Sequence, residues 1–391
     1  MKVKKINNRE VKIWASDIDK ETMLQIRNLT TLPFLYHHLA IMPDAHAGMG
    51  MPIGGVLACD NTVVPNAVGV DIGCGMCAVK TNIQVSSIPT KMLVGKIVKG
   101  IHDRIPLGIE HQSHKQSKEL LPQGHNIDQM EVVRRRYESI QYELGTLGGG
   151  NHFIELQHDE KGYLWIMLHS GSRNLGKQVA DHYNKIATVL TKRWYSFTSN
   201  NAKLPFLPFC TDEGRVYWRE MKYCIDFAAC NRKLMMLRIQ EILSDSLRNI
   251  EFEPAIDIAH NYAAWENHFG NNVIVHRKGA TLARKGTIGI IPGSQGTASY
   301  IVEGLGNPES FCSCSHGAGR RMSRTEAIRR LNMRDEVAWL NSRGIIHSIR
   351  CQNDMQEASN AYKNIDKVIA NERDLVTVKH KLLPIAVIKG T

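Results

Sequence analysis

No stretch of this sequence approaches the roughly 18 consecutive apolar residues that span a bilayer, so no membrane-crossing helix is expected. The opening residues, MKVKKINNREVKIWA, are basic but lack the apolar run of a secretory signal. The 9 cysteines are an odd set at scattered positions, unlike the paired spacing of a disulfide-stapled secreted domain. A cytoplasmic protein with reduced thiols is the expectation. No glycine loop ends in GK followed by Ser or Thr, which disfavours a P-loop NTPase. No GxGxxG joins a strand to a helix, which disfavours a Rossmann dinucleotide site. Cys74 and Cys77 make one CxxC with no second pair, so a zinc ribbon is not supported. Internal repeats and low-complexity linkers are also missing.

What is present is an ordinary globular balance over 391 residues, 43% hydrophobic and 22% charged, which argues against a disordered, collagen-like or coiled-coil chain. Such a chain can bury a core without staples. Two counts stand out: a net charge of +11 and 17 histidines. The charge points to a polyanionic partner, nucleic acid before membrane. Much of it falls in two stretches, Val273–Gly286 and Arg320–Arg350. Both flank glycine-rich loops, and arginine's planar fork suits phosphate oxygens.

Glycine-dense zones lie at Leu39–Lys80, Leu144–Arg173 and Val273–Gly319. Glycine at that density marks tight turns or close backbone approach. Between them the pattern predicts a strand over Arg9–Ala15 and helices over Lys20–Leu29, Gly176–Trp194 and Val216–Leu247. In the last helix, Trp218, Met221, Cys224, Ile225, Ala228, Leu234, Leu237 and Ile242 form a core stripe. TEAIRRLNMRDEV also reads as helix. Ser113–Asn126 reads as a surface loop, and Arg134–Arg136 as a solvated helix face or an RNA contact. Because the polar histidines fall in all three glycine zones, the site is assembled from distant segments. That favours one intertwined α+β domain over residues 1–391, a β-sheet core surrounded by helices.

Asp71 and Cys74, three apart in a glycine-rich turn, read either as a metal pair or as a buried Cys beside an Asx-turn. His152, His169, His260 and His316 each sit at a strand end or a glycine turn. Imidazole, thiolate and carboxylate together suit Mn, Zn, Fe or Co. The loops Pro292–Ser299 and Ser315–Arg320 offer backbone N–H groups that can cradle phosphate. The other histidines lie in helical or polar settings and read as surface or structural.

MPDAHAGMGMPIGG, VDIGCGM, LGTLGGGNHFIE, MLHSGSR, HNY, PGSQGTASYIVEGLGN, SHGAGRRMSR, AYKNID and the terminal IKG resemble, in order, the motifs of the RtcB family of GTP-dependent RNA ligases. The resemblance covers the chain from about Met42 onward. It implies joining of an RNA 2′,3′-cyclic phosphate or 3′-phosphate to a 5′-hydroxyl, in RNA splicing or repair of tRNA or rRNA. It also implies GTP as cosubstrate and two Mn(II) ions, through a histidine–GMP intermediate. The nucleophile would be His316, and the metal ligands Asp71, Cys74, His152, His169 and His260. The guanylate site would comprise Asn151, Glu155, Asn261, Pro292, Gly293, Ser294, Gln295, Ser299, Gly317, Ala318, Gly319, Tyr362 and Lys389. Gln295 stands where the family commonly has Met. Arg173, Arg320 and Arg324 match arginines near the site, and Asp44 and His46 match a motif of unassigned role. Whether an archease-type activator is needed stays open. Two rival readings are a metal-dependent cyclic phosphodiesterase and a non-enzymatic RNA-binding or ribosome-associated factor.

Overall fold

The computed structural model describes residues 1–196 and 202–390. Two large sheets carry the fold. The first runs Lys2–Ile6, Arg9–Ile13, Leu35–His46, Ile53–Cys59, Asn271–Lys278, Asn261–His268. The second runs Ile256–Ala259, Gly75–Gln84, Tyr163–Ser170, Phe153–His158, Val376–Lys389, Ser299–Gly304, Ile288–Ile291. Pairing is antiparallel except between Arg9–Ile13 and Leu35–His46, whose parallel register needs a crossover. The helix Lys20–Leu29 supplies it, at the predicted bounds, with Asp19 capping Thr22 N at 2.8 Å.

His260 lies where the chain leaves the edge strand of one sheet and enters the edge strand of the other. Its N–H donates to Cys74 O at 2.9 Å, and its carbonyl accepts from Ala280 N at 3.2 Å. A residue at the seam of two sheets is fixed by both, which suits a precisely held ligand.

The helices Arg173–Arg193 and Asp212–Ser246 pack together, and the second lies against strands Gly75–Gln84 and Tyr163–Ser170 of the second sheet. Their joint core contains Val179, Tyr183, Tyr217, Met221, Cys224 and Phe227. The predicted stripe is correct at Met221, Cys224, Ala228 and Ile242, which are buried. It is displaced elsewhere: Leu237 is 44% exposed and Trp218 is half-buried, while Tyr217, Phe227 and Met235 face inward. The reason is that this 35-residue helix is covered from more than one side, so a single 3.6-residue stripe does not describe it.

One further expectation is met and one changes. Ser113–Asn126 is irregular apart from one 3-10 turn, Lys118–Leu120. TEAIRRLNMRDEV is two helices, Arg324–Arg330 and Met333–Ser342, because the Asn332 side chain accepts from Arg334 N and starts a new one. No helix among the described residues is long and apolar enough to cross a membrane.

Candidate metal and nucleotide site

The turn before strand Gly75–Gln84 presents Asp71 and Cys74. Gly73 must be glycine there, since it has φ +77° and a Cβ would lie 2.8 Å from Ile225 Cα. His152 precedes the strand Phe153–His158, and His169 lies opposite both Phe153 and Met76 in the sheet register. These four and His260 converge. Cys74 Sγ is 3.1 Å from His169 Nε2 and 3.4 Å from His152 Nε2. Asp71 Oδ2 is 3.0 Å from His152 Nε2, and His169 Nε2 is 3.2 Å from His260 Nε2.

The backbone sets the tautomers. His152 Nδ1 faces Leu147 O at 3.0 Å and His169 Nδ1 faces Asn151 O at 3.1 Å. A carbonyl can only accept, so each Nδ1 carries the proton and each Nε2 turns a lone pair inward. Burial, with the neighbouring imidazoles His152 and His316, drives His169 well below its ordinary pKa, and burial with His316 and His169 does the same to His260. Burial and the Asp71 charge push the Cys74 thiol well up. The result is inward-facing lone pairs with no protein cation among them. That donor set fits a borderline-soft divalent cation, whose charge would ionise the thiol. Among the described residues, Cys74, His152 and His169 hold their donor atoms within 4.8 Å of one another.

Beneath the cluster, buried Arg232 donates to Gly73 O at 3.0 Å and Ser170 O at 3.1 Å and is paired with Asp257. It ties the Asp71–Cys74 turn to the His169 strand. Sequence reading missed it; an arginine inside an otherwise apolar helix face was the available signal. Cys77 points away into an aliphatic core, where burial pushes it up to about 12, so the CxxC is not a site.

His316 adjoins the cluster, its ring centroid 4.9 Å from that of His260. Asp44, fully buried at the end of strand Leu35–His46, receives His316 Nδ1 at 2.6 Å and His316 N at 3.1 Å. The role of Asp44, open in the sequence, is thus to hold the imidazole and leave Nε2 unprotonated. Gly279 makes room for the ring: a Cβ there would sit 3.1 Å from His316 Nδ1. His46 bonds Asp44 O through Nδ1 at 2.9 Å, and burial pushes it down to about 4.

His316 opens onto a cavity of about 650 Å³. Asn151, Glu155, His169, Pro292–Gln295, Gly317–Gly319, Tyr362 and Lys389 line it, together with Arg320, Arg321, Arg324 and Glu357. Ser299 and Asn261 do not. Ser299 lies under the loop, its Oγ accepting from Gly293 N at 3.3 Å, and Asn261 braces the ligand turn by donating to Asp71 O at 3.1 Å. Gln295 Nε2 donates to Glu357 O at 3.0 Å. Glu357, unremarked in the sequence, gathers Arg324 (3.0 Å), Arg320 (3.4 Å), Lys389 (3.9 Å) and the Tyr362 hydroxyl. Burial raises it, yet Lys389, Arg320 and Arg324 together hold its carboxyl below the usual range. Glu155, with only Gln157 and Lys389 to oppose burial, is pushed up to about 7.

The basic stretches divide. Arg320, Arg321 and Arg324 reach the cavity. Arg277 and Lys278 are instead buried structural groups: Arg277 pairs with Glu266, and Lys278 Nζ donates to Met49 O (2.6 Å) and Asn66 O (3.0 Å). Arg173 braces the Gly148 loop, donating to Thr146 Oγ1 and Gly108 O, each at 2.9 Å. Arg134 and Arg135 are exposed and Arg136 pairs with Glu143; none lines the cavity.

A cluster of soft donors able to hold a metal, a carboxylate-held histidine and an arginine-rimmed cavity adjoin one another, and comparison with known proteins agrees with the motifs. The chain matches the family described as tRNA-splicing ligase RtcB over residues 25–138 and 119–390, and it belongs to that family. RNA-splicing ligase RtcB1 of Escherichia coli is 35% identical over 408 residues, covering 98% of each chain. The tRNA-splicing ligase RtcB of Nanoarchaeum equitans is 32% identical over 98% of this chain and 96% of its own, and that of Thermococcus kodakarensis 30% over 94% and 91%.

Proposed function

We propose that this protein seals RNA, joining a 2′,3′-cyclic phosphate or 3′-phosphate end to a 5′-hydroxyl end with GTP as cosubstrate. The observation that carries the reading is His316: Nδ1 bound to buried Asp44, Nε2 without a partner among the described residues, and a cavity in front of it. His316 Nε2 attacks the α-phosphorus of GTP, forming a P–N bond as pyrophosphate leaves; Asp44 stabilises the charge that develops on the ring. Glu155, Asn151 and Lys389 offer a polar floor for the base. The Pro292–Gln295 and Gly317–Gly319 backbones, with Arg320, face the phosphates. A cyclic phosphate is first hydrolysed by water at its P–O2′ bond to a 3′-phosphate; the RNA 3′-phosphate then takes GMP as the P–N bond to His316 breaks, and the 5′-hydroxyl displaces GMP to close the strand.

Asp71, Cys74, His152, His169 and His260 would hold Mn(II), two ions in our reading, which supply Lewis-acid charge neutralisation when bound. Zinc should compete for the same thiol and imidazoles. We further propose that residues 1–391 act as one domain in the cytoplasm, on tRNA or rRNA, together with an archease-type activator.

Incubation with α-labelled GTP and Mn(II) tests the reading. An acid-labile protein–GMP adduct is expected and should vanish in His316→Ala. Asp44→Asn should slow its formation by about 10³–10⁴-fold, the scale seen when an orienting carboxylate is made an amide. No adduct on the wild-type chain under varied metals would sink the proposal and favour a phosphodiesterase.

A further inference from the structure

Trp218 reads in the sequence as core, but the structure sets it in a half-exposed aromatic group outside the cavity. Its ring lies 5.6 Å from that of Phe209 and 6.4 Å from that of Trp265, and Phe209 and Trp265 are 5.4 Å apart. Phe209 meets both indoles edge-on at 90°, a packing that leaves ring faces unstacked. Trp265 is 37% exposed.

Charge around the group has one sign to spare. Arg219 and Lys222 are exposed on the helix that carries Trp218, with Lys222 one turn beyond it. Arg215 is paired with Asp212 at 2.6 Å, and Asp226 with His125. No ion pair engages Arg219 or Lys222 among the described residues. Exposed rings beside unpaired cations suit a chain of bases and phosphates, since every base has a stackable face.

Position joins this group to the site. Trp265 stands on the strand Asn261–His268, whose first residue braces Asp71 and follows His260. Four residues of extended chain separate Asn261 from Trp265, about 13 Å. Both lie on the same side of the strand by its two-residue alternation.

We propose that Phe209, Trp218 and Trp265, with Arg219 and Lys222, form a stacking platform for single-stranded RNA that runs out of the cavity in front of His316. The proposal rests on the RNA-sealing reading above and adds the path of the strand. Stacking on aromatics is sequence-tolerant, so the platform would bind any unpaired tail rather than select a sequence.

Affinities of 3′-phosphorylated RNAs of about 4 and about 20 nucleotides, short of and beyond one single-strand site, test it. Trp265→Ala and Trp218→Ala should each weaken the long RNA by about five- to 100-fold, the range for loss of one stacked base, and leave the short RNA within about twofold. Trp265→Phe should recover most of the loss. GMP transfer to His316 from GTP alone should be unchanged, which also reports intact folding. Unchanged long-RNA affinity in the double variant would overturn the platform, as would equal loss for both lengths. Loss of a protein contact with RNA binding intact would also overturn it and mark a protein-docking face. If the wild type forms no GMP adduct but the length-dependent loss holds, the sealing reading fails and the platform stands. An adduct without that loss fails the platform alone.

Discussion

His316, Asp44 and Glu372 show what a single side chain's surroundings decide. Asp44 lies 272 residues before His316 yet fixes its tautomer. The ligand types were legible because their motifs are local; this pairing was not, because nothing in the sequence around either residue names its partner. Glu372 was equally invisible. It is fully buried behind His316, where Oε2 accepts from Ser315 N at 2.9 Å and Oε1 has no partner among the described residues. Burial pushes it up to about 8, against about 4.3 for an exposed glutamate. The folded state therefore holds the proton more tightly than the unfolded state. Its stabilising contribution is full below about pH 4.3 and is lost as pH rises through about 8. Denaturant midpoints should fall from pH 5 to pH 8, and Glu372→Gln, which can still accept from Ser315, should flatten part of that fall. Glu155, shifted upward in the same direction, accounts for a further part. A variant whose midpoint falls as steeply as the wild type would remove Glu372 from this role.

Among elements, periodicity gave helices well and their interruptions poorly. Lys20–Leu29 needed only its own cap and stripe. The basic segment after Arg324 breaks at Asn332 because a side chain competes for the helix backbone, a local contest that composition does not reveal. The break has a consequence for the nucleotide loop. It lets the second helix carry Trp339 under Gly296, where a Cβ would lie 2.0 Å from Trp339 Cζ3. Trp339 is itself backed by Arg343, 4.3 Å from its ring centroid, so it has little freedom to retreat. Gly296→Ala should therefore displace the Pro292–Thr297 loop and raise KM for GTP by about tenfold, on the scale of overpacking strain. Trp339→Leu in the same chain should restore much of it. Steady-state kinetics at varied GTP decide this; a raised KM that Trp339→Leu leaves untouched would mean that the loop is perturbed by something other than the collision.

Across the whole molecule, the interleaving of glycine zones with helices correctly implied a candidate site built from distant segments, but only part of the charge bears on it. Part of the basic excess is internal, with Arg277 and Lys278 buried, engaged by protein groups and absent from the cavity lining. Only the three-dimensional assembly separates those cations from Arg320, Arg321 and Arg324 at the cavity. The same assembly makes metal binding a matter of global stability. The five candidate ligands come from four separated parts of the chain, and His260 stands at the junction of both sheets. A cation held there binds the folded state, in which those parts meet, far better than the unfolded one. At about 100 times its dissociation constant it should add about 2.7 kcal/mol of stability. Mn(II) should raise the melting temperature of chelator-treated protein, and a chelator should reverse the gain. Cys74→Ala removes one donor and should abolish most of the increment while leaving the metal-free melting temperature close to that of the wild type, since the metal-free thiol has only buried imidazoles and a carboxylate around it. An equal increment in both proteins would show that the ion binds elsewhere.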